Sequence, residues 1–157
     1  MNKSASCRAA LEAALPYLVH EPDRLVMFIE GGKIASGYGG PGFEYNYTLT
    51  IGLLDFNQHP DTVMIPLLQW LKTNEPAAMQ HPDRAKETIT FEAEILNHNT
   101  YDLRLQLKLT ERVKVDINDG NITATHLPEP DLGKTWPAGE RLQIFVKDEL
   151  IYDSATV

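Results

Sequence analysis

The sequence predicts an α+β domain: a mostly antiparallel, twisted sheet covered by two main helices, with a C-terminal hairpin arm. Three observations carry this. Apolar residues recur at three- and four-residue spacing in two segments, the period of an amphipathic helix. They alternate strictly with polar residues in three others, the period of a half-buried strand. Two of these alternating runs are joined directly by the turn residues Asn97-His98-Asn99, which makes them an antiparallel pair.

Ser4 to Val19 reads as the first helix, capped by Ser4, with Cys7, Leu11, Ala14, Leu15 and Leu18 on one face. Pro16 lacks an N–H and crowds the preceding turn, so a kink is expected there rather than two helices. Leu25 to Ile29 is short and continuously apolar, as a central strand buried on both faces would be. Residues 31–42 hold six of the ten glycines and predict a mobile loop or loose hairpin. From Phe43 to Leu53 the odd positions are apolar, a strand with one buried face.

Asn57 to Thr73 returns to helical spacing through Val63, Met64, Leu67, Leu68, Trp70 and Leu71, with Pro66 implying a late start or a kink. Trp70 on that stripe reads as core. Glu75 to Pro82 is a short turn or a single helical turn. Thr88 to Leu96 alternates, and Glu92 and Glu94 on its polar face are placed to meet Arg104, Lys108 or Arg112 across the next strand.

That next strand is the clearest signal in the chain. From Tyr101 to Ile117 every odd position is apolar except Glu111, and every even position is polar. A 17-residue strand would extend roughly 56 Å, against a compact globule roughly 39 Å across. It must bend, bulge near Glu111, or project. Asp119-Gly120 then turns the chain into a short return strand, Asn121 to His126. Residues 128–157 follow the 1–127 domain as a Pro- and Gly-punctuated linker and a terminal hairpin, which needs its own domain or a neighbour to dock on. Trp136 in that linker is either an anchor for a partner or folded back on its own domain.

Composition excludes several functions. The chain has 157 residues, 43% of them hydrophobic, and a net charge of -8. The charge falls as -3 over 1–78 (five basic, eight acidic) and -5 over 79–157 (nine basic, fourteen acidic), so no basic patch serves nucleic acid. A lone Cys7 excludes an internal disulfide and a cysteine-based zinc site and suits a reducing cytoplasm. Charged Lys3, Arg8 and Glu12 interrupt the N-terminal segment, so neither a signal peptide nor a membrane span is expected.

The chemistry-bearing motifs fail on context. Gly37-Tyr38-Gly39-Gly40-Pro41-Gly42 matches the letters of a dinucleotide fingerprint, but a strand follows it where a helix should open, and Pro41 removes an N–H. The five histidines lack ligand spacing, although His59, Asp61 and Asp55 could gather at one helix entry. No serine or cysteine nucleophile has a neighbouring base. The reading is no catalytic residue, no metal and no cofactor.

Three phrases, in this order and spacing, carry a family resemblance: Phe43-Glu44-Tyr45-Asn46-Tyr47-Thr48-Leu49 with Asp55-Phe56; Ile65-Pro66-Leu67-Leu68-Gln69-Trp70-Leu71 with Asn74-Glu75-Pro76; and Leu107-Lys108-Leu109-Thr110-Glu111-Arg112-Val113. The chain resembles the tail completion protein R family of temperate, contractile-tailed phages over nearly its whole length. The resemblance implies a non-catalytic virion tail protein, assembled in the host bacterial cytoplasm, that acts as the tail is finished and made ready for the capsid. It also suggests kinship with tail terminator proteins, hence contacts with other tail proteins and a possible homo-oligomeric ring of about six copies at the head-proximal end of the tube. The rival readings are a monomeric adaptor absent from the finished virion and a small enzyme of unknown class. The candidate interaction residues are Tyr38, Gly39 and Gly40 in the glycine-rich segment, Glu111 and Arg112 on the long strand, and Trp136 in the arm.

Overall fold

The protein is described by a computed structural model covering residues 1–131 and 143–153. Helices α1 (Lys3–Ala14) and α2 (Tyr17–His20) and a 3-10 turn lead into the β1 (Leu25–Ser36) and β2 (Phe43–Phe56) hairpin. Helices α3 (Asp61–Asn74), α4 (Pro76–Met79) and α5 (Pro82–Thr88) follow, then strands β3 (Ile89–Ile95), β4 (Tyr101–Asn118) and β5 (Asn121–His126), and finally the separate hairpin β6 (Gln143–Val146) and β7 (Glu149–Asp153). The main sheet runs β1-β2-β4-β3, antiparallel throughout, with β5 also paired to β4. This is the α+β class that the two periodicities predict.

The core forms between one face of this sheet and the helices. Cys7, Leu11, Leu15 and Leu18 from the N-terminal segment and Val63, Leu67 and Leu71 from α3 meet Leu49, Ile51 and Leu53 of β2 and Leu103, Leu105, Leu107 and Leu109 of β4. Trp70 lies in this core, and its indole N–H donates to Ser6 Oγ at 2.9 Å, fixing α3 against α1. Burial pushes the Cys7 thiol up to about 12, so it stays an uncharged apolar filler.

Several expectations are corrected. The first helical segment is two helices. Leu15 leaves helical geometry (φ -127°, ψ 77°) because the residue before a proline is disfavoured there, and the chain restarts at Pro16. Asn2, rather than Ser4, holds the cap position. The glycine-rich loop is shorter than expected: a bulge at Gly31 (φ 61°) absorbs the irregularity, and β1 continues to Ser36, leaving 37–42 as the turn of a hairpin. β1 is an edge strand, so Val26 and Phe28 lie exposed on the helix-free face instead of in a second buried layer. Helix α4 is the single helical turn expected after Glu75, and α5, with Pro82 at its start and Asp83 in its first turn, occupies residues to which the sequence assigns no element.

The overlong strand projects. β4 pairs with β2 without irregularity from Val113 back to Leu103, so Glu111 marks no bulge; the register shift falls between Leu53 and Phe56. Beyond Val113 only β5 accompanies it, through a tight turn with Asp119 at φ 51° and Gly120 at φ 80°. On the next strand, Glu92 stands opposite Arg104 as expected, while Glu94 faces Asp102.

Backbone parity fixes which edge each strand uses. The Thr110 N–H is donated to the Glu75 carboxylate (2.6 Å), so it points away from β2, and every even residue of β4 points the same way. Leu127 N–H reaches Arg112 O (2.9 Å) on that same side. β3, Glu75 and β5 therefore succeed one another along one side of β4, with Glu75 closing the gap where the ladder is interrupted.

Leu105 sits at the middle of the core, opposite Ile51 and Phe91 and wholly buried. Leu105→Ala is expected to lower unfolding stability by about 2–5 kcal/mol, seen as a lower urea midpoint with an unchanged slope.

Candidate functional site

The chemistry-bearing side chains gather where the N-terminus of α1 meets β4. A helix start leaves four N–H groups without partners, and Asn2 makes no side-chain cap of its own. Glu111 supplies the cap from a distant strand. The alternation of β4 turns it inward, where its Oε2 accepts Asn2 N–H (2.9 Å) and its Oε1 accepts Lys3 N–H (3.1 Å). The Tyr47 hydroxyl donates to Oε1 at 2.5 Å, and His126 Nδ1 lies 3.0 Å from Oε2.

Lys3 extends the cluster. Its ammonium binds Glu75 (2.7 Å), Glu129 (2.9 Å) and the Asn74 carbonyl, using all three of its donors. Glu75 in turn accepts the Thr110 N–H, and the Thr110 hydroxyl lies 3.2 Å from its second oxygen. The end of α3, the start of α1, the middle of β4 and the segment after β5 are thus joined through two buried carboxylates and one ammonium.

The charges of this cluster differ in character. Burial disfavours ionised Glu111, but the Tyr47 hydroxyl, two backbone N–H groups and the chain's terminal ammonium overcome it and hold the carboxyl below its usual range. For Glu75 burial prevails over Lys3 and Thr110, and the carboxyl is raised. Tyr47 is raised by burial and by its bond to Glu111, so it remains a neutral donor. Every oxygen of both carboxylates already holds an internal partner, which is the signature of a structural network and not of a group awaiting substrate.

The sequence-predicted interaction residues do not converge. Tyr38, Gly39 and Gly40 form the tip of the β1–β2 hairpin, with Tyr38 fully exposed. Arg112 is exposed on the helix-free face beside Glu44, lining an open cleft of about 620 Å³ with Lys33 and Arg84. Glu111, its neighbour, is turned to the opposite face and is 4% exposed. Trp136 lies outside the described residues. Lys3, Tyr47, Glu75, His126 and Glu129 are not among the sequence-predicted interaction residues; the signals that point to the cluster are Glu111, a charge in an otherwise apolar register, and the place of Tyr47, Glu75 and Glu111 in the three family phrases. His59 Nδ1 and Asp61 stand 3.4 Å apart at the α3 entry, and among the described residues no three metal-ligating side chains come together. No described helix is long and apolar enough to cross a membrane.

Fold and site together define a small structural domain, one whose buried charges join its elements and whose outer strands face solvent. The family model described as P2 phage tail completion protein R (GpR) matches residues 1–130. Tail completion protein R of Escherichia phage P2 is 34% identical over 152 residues, covering 96% of this chain and 97% of that protein. No solved structure matches the chain. The chain belongs to the P2 phage tail completion protein R family, and its role is a structural one in completing the tail.

Removing the Glu111 carboxylate leaves two helix N–H groups and a buried hydroxyl unpaired, so Glu111→Ala is expected to cost about 3–5 kcal/mol. Tyr47→Phe alone is expected to cost about 1–2 kcal/mol, and the double variant less than the sum, measured by urea unfolding in a double-mutant cycle.

The pH dependence follows from the two shifts. Glu111, lowered in the folded state, contributes stability that is full above the ordinary carboxylate range and is lost as pH falls through its folded value. Glu75, raised, acts oppositely: its unfavourable ionisation is relieved as pH falls through its folded value. Unfolding midpoints of Glu111→Gln and Glu75→Gln across an acid titration should therefore deviate from wild type in opposite directions, the first with a shallower acid loss and the second with a steeper one.

Proposed function

We propose that the protein is a non-catalytic assembly protein that acts at the head-proximal end of the tail tube. It contacts other tail proteins there and assembles with its own kind into a ring, of about six copies if it matches the symmetry of a terminator-like ring. Assembly takes place in the host cytoplasm and the product stays in the virion tail. The observation that carries this reading is the family match over residues 1–130.

The surface supports it. Tyr38, Gly39 and Gly40 stand at a hairpin tip, and Arg112 is exposed at the base of the projecting β4–β5 hairpin. On that hairpin Ile117 and Ile122 face each other across the ladder, 59% and 72% exposed. Such groups gain by being covered.

Residues 128–157 act as a linker and arm beside the 1–127 domain. The Tyr152 hydroxyl donates to the Ala14 carbonyl at the end of α1 (2.7 Å), which favours docking on its own domain.

Deleting the gene from the phage, inducing, and viewing the lysate by electron microscopy tests the role. Intact unattached heads beside absent or irregular tails are expected; normal infectious particles would refute it.

A further inference from the structure

The two outer strands of the main sheet are unpaired along their outer sides among the described residues. They are β1 at one end of the order and β3 at the other. Unpaired edges invite another strand, and native chains usually blunt them. Here neither edge is shortened by proline, and both display apolar side chains.

Parity specifies what each edge offers. Even residues of β4 point toward β3, so Thr90, Glu92 and Glu94 face inward, and the backbone groups of Phe91, Ala93 and Ile95 face outward. Carried through β2, the same parity turns Met27, Ile29 and, past the bulge, Ile34 outward on β1. On both strands the outward residues are those whose side chains lie on the helix side. Phe91, Ile95 and Ile34 are nonetheless 64%, 81% and 66% exposed.

We infer that β3 of one copy of this chain pairs with β1 of a second copy, edge to edge, extending the sheet between subunits. This rests on the self-assembly part of the reading above and names its interface. Four features select a second copy as the occupant. Along the order β1-β2-β4-β3 neighbouring strands alternate in direction, so β1 and β3 are antiparallel, and a copy set alongside by rotation continues the ladder without inversion. Antiparallel pairing places outward residues opposite outward residues, hence Phe91, Ala93 and Ile95 against Met27, Ile29 or Ile34, apolar on apolar.

On the opposite face Glu30 of β1 is held by Thr50 and Arg104 of its own chain, and the charges left unmatched are of opposite sign on the two edges. Lys33 on β1 has no side-chain partner among the described residues, while Glu94 on β3 likewise has none and Glu92 meets only Arg104 at 3.9 Å. Finally, the contact joins different patches of the two copies, the heterologous type that generates rings.

The test uses the full chain and light scattering coupled to size exclusion over a range of concentrations. Wild type is expected to form a multimer. Ala93→Pro removes an outward N–H that no strand of its own sheet uses, so the fold is kept and the interface blocked. Lys33→Glu sets like charges together, and both variants should raise the dissociation midpoint at least about tenfold. Adding Glu92→Lys and Glu94→Lys to Lys33→Glu should bring the midpoint back toward wild type. That rescue keeps the test decisive if Ala93→Pro fails to fold. A wild-type multimer unmoved by these changes overturns the edge pairing while leaving self-assembly intact. A wild-type monomer at every concentration overturns both pairing and ring, and the tail-completion role is then decided by the gene deletion alone.

Discussion

The structure depends on one carboxylate placed where a leucine or valine would otherwise be. Glu111 continues the buried register of Leu103, Leu105, Leu107 and Leu109, and at that point the core meets the start of α1 instead of a helix side. Four donors converge on its two oxygens, and two of them are backbone N–H groups that Asn2 leaves uncapped. A buried carboxylate with fewer partners would be costly; with four it is held ionised and orients the helix relative to the sheet. Lys3, held by the first turn of that helix, then reaches Glu75 and Glu129. One helix start thereby determines where α3 ends and where the chain leaves β5.

The second constraint is the long side of β4. A strand of 18 residues cannot be covered by one partner in a domain of this size, and the chain covers it in sections. β3 takes the first, the Glu75 carboxylate substitutes for a carbonyl at Thr110, and β5 takes the last. Glu75 is thus a ladder acceptor as well as an ion-pair partner, which accounts for its burial at a position following a helix, where carboxylates are ordinarily solvated.

Most of the fold is legible in the sequence because its strongest signals are periodic. The alternation through β2 and β4 and the helical stripe around Trp70 give the elements and their buried faces directly, whereas β3 alternates in the same way but keeps Phe91 and Ile95 exposed. What is not legible has definite causes. Leu25 to Ile29 reads as a central strand, because local apolarity cannot distinguish a two-sided core from an edge strand whose outer face stays exposed. The glycines at 31 and 32 read as loop, because a bulge and a loop require the same backbone freedom. The candidate site is the least legible part. Glu111 stands out as a break in the pattern, but its partners lie 15 to 109 residues away, and no local rule connects Lys3 or Glu75 to it.

The continuity of β4 links the interior to the surface. Its first half is core, and its second half projects with β5 into solvent, carrying Ile117 and Ile122. A two-stranded hairpin has little stability of its own, so its direction must be set at its base. There Val113 pairs with both Phe43 and His126, and His126 bonds to Glu111 while stacking on Tyr45 with ring centres 6.2 Å apart. The cluster that caps α1 therefore also fixes where the hairpin emerges. An assembly protein needs surfaces that stay open until a neighbour arrives, yet those surfaces must already point the right way, since ordering them on contact subtracts from affinity. Anchoring the exposed hairpin in the buried polar cluster meets both needs: the apolar tip remains available, and its orientation is decided by the fold before any partner is present.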